Sequence, residues 1–212
     1  MMTGGNAAID VTRELSLPEI LQLALPADND GRLWPGTVDL ITATVIDLAL
    51  LGRITATPSR WGSSWDAKLS VVDDTPIGNE PLDSFLQALA AKGKPRKIGS
   101  CIPAFGVSAA TTRGLVARGL VATHSSTGYR AVYLELLDAP VRDSCIARLD
   151  GAASSSDVRT VALLDIRHWS ENGWTPEGRG GYPPILANYP ASVALIAEGA
   201  LHALFTATGT AM

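Results

Sequence analysis

The chain is poor in the residue types that announce most chemistries. It holds 2 cysteines in 212 residues, Cys101 and Cys145, and no CxxC pair, so neither a disulfide framework nor a thiolate metal site is expected. Both read as buried, reduced thiols. The 3 histidines, His124, His168 and His202, fall in separate stretches without metal-ligand spacing. Basic charge is scarce too: a net charge of −4 and a pI near 5.3 exclude nucleic acid, which requires a basic stripe. The densest basic run, Lys92, Lys94, Arg96 and Lys97, follows a helix end and reads as a solvated, dipole-matched tail. No apolar run reaches membrane-spanning length, and the first residues lack the basic and apolar regions of a signal peptide. The expectation is a cytoplasmic protein without a cofactor: no Walker or Rossmann glycine pattern occurs, and Gly106-Val-Ser-Ala109 falls short of a nucleophile elbow.

What is abundant is aliphatic residues: 46% of the chain is hydrophobic, enough for one sizeable core. Residues 1–12 read as a flexible tail and 13–212 as one domain. The organising stretch is 37–51. Val38, Ile41, Val45, Leu48 and Leu51 recur at helical spacing, while Leu40, Ala43, Ile46 and Leu50 cover the other side. A helix apolar nearly all round belongs in the centre of a bundle. Its carboxylates, Asp39 and Asp47, would then need partners, and Arg53 or Arg118 is expected to serve Asp47. A raised-pKa acid acting on a substrate is the alternative reading of Asp47.

Around this helix, 15–25 reads as a short amphipathic helix with Ser16 at its cap, and 54–57 and 68–72 as two strands. Helices follow at 82–91, 108–118, from Pro140, at 158–168 and at 191–206. A hairpin is expected from 120–123 and 129–137. Its residues Tyr129, Ala131, Tyr133 and Leu137 alternate with Val132, Leu134 and Leu136, so both faces look apolar. Two readings stay open: a membrane-touching or oligomerising element, or a hairpin buried on both sides. Trp61 and Trp65 flank a Gly-Ser-Ser tip, and the glycine-rich loop from Trp174 to Tyr182 reads as an ordinary loop or as a lid over a pocket.

Four segments in register carry a resemblance. Leu15-Ser-Leu-Pro-Glu19, Asp47-Leu-Ala-Leu-Leu-Gly-Arg-Ile54, Val71-Val-Asp-Asp-Thr-Pro-Ile-Gly-Asn-Glu-Pro-Leu-Asp83 and Leu115-Val-Ala-Arg-Gly-Leu-Val121 resemble the Golgi phosphoprotein 3 (GPP34) family. That resemblance implies a mainly α fold, a helical bundle around a buried central helix with short β-hairpins. Eukaryotic members bind phosphatidylinositol 4-phosphate on Golgi membranes, helped by a hydrophobic hairpin. The family's headgroup pocket uses a tryptophan and three arginines. In this chain those positions fall at or near Trp34, Ile41, Phe105 and Ser108, with Arg113 the nearest basic residue. A phosphomonoester buried without cations is costly, so the pocket reads as apolar.

The functional expectation is therefore a ligand- or lipid-binding module, peripheral to a membrane or oligomerising through the hairpin residues Tyr129, Val132, Tyr133, Leu134 and Leu136. The alternative is an enzyme that uses the altered cleft on a small apolar molecule in a biosynthetic pathway. The partners expected are a lipid or small apolar ligand, a membrane surface or a second copy of the chain.

Overall fold

A computed structural model describes residues 14–25, 32–33, 38–58, 67–101, 106–125, 132–172 and 189–209. The central helix is present as expected. Helix α2 (Val38–Leu50) buries Leu40, Ala43, Val45, Ile46 and Leu48 together with Thr42, Thr44 and Asp47. Only a helix surrounded on all sides can do this. Around it stand α1 (Leu17–Ala24), α3 (Glu80–Ala90), α5 (Val107–Ala117), α7 (Val158–Asn172) and α8 (Ala191–Gly209), all of which touch it. The chain leaves α2 through Gly52 at φ +70, a left-handed turn suited to glycine, and Leu51 swings out to solvent instead of extending the buried face.

Strands β1 (Ile54–Thr57) and β2 (Lys68–Val71) pair antiparallel, Ile54 opposite Val71. A third strand, β3 (Arg96–Lys97), joins β2 with Leu69 opposite Arg96. Half of the basic run read as a solvated tail thus belongs to the sheet. Next come a single helical turn, α4 (Ile98–Cys101), then α5, then the hairpin of β4 (Val121–Ser125) and β5 (Val132–Leu136). Helix α6 (Ala139–Asp150) packs on α1 and α7. Helix α7 starts where the Asp157 carboxylate accepts the Thr160 amide at 3.1 Å, and it runs past the expected end at 168 to Asn172.

The architecture is mainly α with short antiparallel strand pairs. The tail at 1–12, the 61–65 tip and the 174–182 loop lie outside the described residues. Cys101 and Cys145 are buried thiols outside any disulfide, as expected. Among the described residues no helix is long and apolar enough to cross a membrane.

Candidate functional site

Of the carried-over pocket positions, Ile41, Ser108 and Arg113 lie among the described residues. Ile41 lies buried in the core on α2, whereas Ser108 is half-buried in the first turn of α5. Arg113 is exposed on α5, and both its Nε and Nη2 donate to Glu80 Oε1, at 2.9 and 2.7 Å. Its charge is already matched at the surface. Trp34 and Phe105 lie outside the described residues. A cavity of about 360 Å³ opens elsewhere, between β2 and the end of α3, and none of these residues lines it.

The residues of the four resemblance segments converge instead on the N-terminus of α1. Glu19 is fully buried; its Oε2 accepts the Ser16 amide at 2.8 Å, the Ser16 hydroxyl at 2.7 Å and the Asn79 side-chain amide at 2.8 Å. Arg118 Nε donates to its Oε1 at 3.2 Å. One carboxylate therefore gathers α1, the cap of α3 and the end of α5. Close approach here requires Gly114, because a Cβ on it would stand 3.1 Å from Glu19 Oε1 and 3.3 Å from Pro81 Cδ.

Asp47 repeats the arrangement one step along α1. Its Oδ2 accepts the Leu17 amide at 2.8 Å, and Arg159 closes a two-pronged pair, Nε to Oδ1 and Nη2 to Oδ2, both 3.0 Å. Neither expected partner is used. Arg53 pairs with Asp73 at the α2–β1 turn and Arg118 with Glu19, while Arg159 arrives from α7, 112 positions away in sequence. Burial pushes the Asp47 carboxyl above its ordinary range, and the adjacent guanidinium pulls it back. Among the described residues its side-chain contacts are all to donors, the arrangement of a structural ion pair.

The third segment also serves the scaffold. Asp83 accepts the backbone amides of Ile77, Gly78 and Asn79 at 2.7–3.0 Å, folding 77–79 over the start of α3. Asn79 in turn caps that helix through the Leu82 amide at 3.4 Å.

The hairpin is apolar on one face only. Leu134 is buried opposite Thr123, and its backbone exchanges two hydrogen bonds with Leu33, at 2.8 and 3.0 Å. Leu136 is half-buried on the same side and Val121 is buried across from it. The outer face is polar: the His124 ring stacks on Tyr133 with centroids 5.3 Å apart, and His124 Nε2 lies 2.6 Å from Glu135. The Arg32 guanidinium sits 4.8 Å from the Tyr133 ring centroid. Alternation alone suggests two apolar faces; tyrosine and histidine instead make an amphipathic outer wall. At the last rung of the ladder Val132, paired with Ser125, is 45% exposed, and Tyr129 lies outside the described residues.

One buried carboxyl is absent from the sequence-based candidates. Asp165 on α7 is fully buried, accepts the Tyr189 hydroxyl at 3.0 Å through Oδ2, and leaves Oδ1 without a partner among the described residues. Burial raises its pKa to about 7. A signal for it exists: Val158, Val161, Ala162 and Ile166 make an apolar stripe at helical spacing, and Asp165 interrupts it.

A family model described as Golgi phosphoprotein 3 (GPP34) matches residues 17–171, a span that takes in nearly all of the four segments. No curated protein matches the chain.

Proposed function

The chain belongs to the Golgi phosphoprotein 3 family, and we propose that it is a lipid-binding module that docks on a membrane surface through the Ser125–Val132 end of the β4–β5 hairpin. The observation that carries this is the sidedness of that hairpin. Leu134 and its bonds to Leu33 fix the inner face to the core, while Val132 stands exposed at the last rung of the ladder. On the opposite face of the strand, one residue on, Tyr133 packs under Arg32, an amphipathic ring and a cation, the pair suited to the boundary between acyl chains and headgroups. One cation adds only about 1 kcal/mol of attraction to an anionic surface, so apolar insertion has to contribute most of the binding.

With Ile41 where the family carries a helix arginine, and Arg113 held by Glu80, the docking is to a generic anionic bilayer and not to a phosphoinositide. Co-sedimentation with phosphatidylcholine vesicles, with or without phosphatidylglycerol, tests it. The full chain is expected to pellet with the mixed vesicles and to gain nothing from added phosphatidylinositol 4-phosphate. Val132→Asp removes a burial contribution of about 1.5 kcal/mol and adds a charge, so bound protein should fall about tenfold. No pelleting of the wild type overturns the proposal. So does light scattering that shows a dimer dispersed by Val132→Asp, which would assign the hairpin end to a second copy.

A further inference from the structure

The cavity between β2 and the end of α3 lies apart from the hairpin, and we infer that it binds an apolar α-amino acid as its zwitterion. The cavity exists because β3 is too short. Its pairing with β2 stops at Leu69 opposite Arg96. Beyond that point the chain turns away through Pro95, which has no amide hydrogen, and Gly93 at φ +61. On the other edge of β2, the Val72 amide donates to the Arg53 carbonyl at 2.8 Å. Amide and carbonyl directions alternate along a strand, so Val71 points its N–H and C=O away from β1, toward the gap that β3 vacates. A donor and an acceptor from one residue thus stand at the cavity edge without a strand to meet them.

The lining completes the set. The half-buried Val71 and Ala90, backed by the buried Leu69 and Leu89, make an apolar floor, while Lys94 and Asp74 line the same cavity. Among the described residues neither Lys94 nor Asp74 makes a hydrogen bond or an ion pair. An ammonium, a carboxylate, one strand-edge amide, one strand-edge carbonyl and a greasy floor form the complement of an α-amino acid with an apolar side chain. Its carboxylate meets Lys94 and the Val71 N–H, its ammonium meets Asp74 and the Val71 C=O, and its side chain lies on Val71 and Ala90. At about 30 Å³ per water-sized group, a volume of about 360 Å³ holds roughly a dozen such groups, the size of phenylalanine.

Titration of the full chain with L-phenylalanine, followed by calorimetry or ligand-observed NMR, is the test. Saturable binding with a Kd of about 1 mM or tighter is expected. Phenylalaninamide, which lacks the carboxylate, and N-acetylphenylalanine, which lacks the ammonium, should each bind about tenfold more weakly. Lys94→Met should weaken L-phenylalanine about as much as loss of the carboxylate does, and leave phenylalaninamide itself unaffected. Asp74→Asn should do the same for the N-acetyl compound. Both positions are exposed, and unchanged thermal melts will show that the variants fold. Absence of saturable binding overturns the inference, and so does binding that responds to only one of the two charges or to neither variant. Vesicle binding does not involve this cavity, so failure here leaves the hairpin proposal standing, and the reverse holds too.

Discussion

Replacing Asp165 with asparagine should stabilise the protein, and by more at alkaline than at acid pH. The carboxyl titrates near 7 in the fold against an ordinary value of 3.8, because burial disfavours the anion and the Tyr189 hydroxyl only partly offsets it. A pKa raised on folding means that the folded state holds the proton more tightly. Its stabilising contribution is complete below about pH 4 and is lost as pH climbs through 7. Between pH 5 and pH 8 that linkage removes about 2.5 kcal/mol, at 1.36 kcal/mol per unit over the interval where the folded chain stays protonated and the unfolded chain does not. The asparagine of the variant keeps an oxygen for the Tyr189 hydroxyl and cannot ionise. Urea unfolding of wild type and Asp165→Asn across that range isolates the effect, since every other titrating group is common to both. The difference in unfolding free energy should widen by about 2–3 kcal/mol toward pH 8. A difference that stays flat with pH would show that Asp165 is solvated or paired, and would refute the argument.

Removing Arg159 leaves the buried Asp47 charge uncompensated, so Arg159→Ala should cost about 3–5 kcal/mol in urea unfolding. Arg113→Ala, by contrast, breaks an exposed pair with Glu80 and should change stability by less than about 1 kcal/mol and vesicle binding not at all; lost binding would make Arg113 a headgroup ligand. The Cys101 thiol, pushed up to about 11 chiefly by burial, should resist Ellman's reagent at pH 8 until denaturant is added.

The architecture is legible in the sequence wherever a local pattern decides it. All-round apolarity places α2 at the centre, and β-branched runs place β1, β2 and the hairpin. Features set by distant parts of the chain are not legible. A two-residue strand such as β3 has no period to read, and it exists only because β2 offers an edge. The partner of Asp47 lies 112 positions away, so nearby arginines in sequence are poor guides. One face of the hairpin is misjudged because alternation counts Tyr133 as apolar. Its ring does pack, but against Arg32 and His124. The β2–α3 cavity has no sequence signature, since it arises from where a strand stops.

The segments that carry the family resemblance are the ones most completely consumed by the scaffold. Glu19 binds groups from three of them, and the Leu17 amide ties the fourth to the same helix end through Asp47. Two buried carboxylates are matched there by two guanidiniums, an arrangement in which removing either guanidinium leaves a carboxylate stranded in low dielectric. Such a knot fixes the relative placement of α1, α2, α3, α5 and α7 and leaves its members no freedom to contact a ligand. Ile41, by contrast, sits in the core on α2 with no charge to match, while the knot cannot change without destabilising the bundle. A shared signature in this fold therefore transmits architecture, and binding specificity has to be argued from the hairpin end and the β2–α3 cavity.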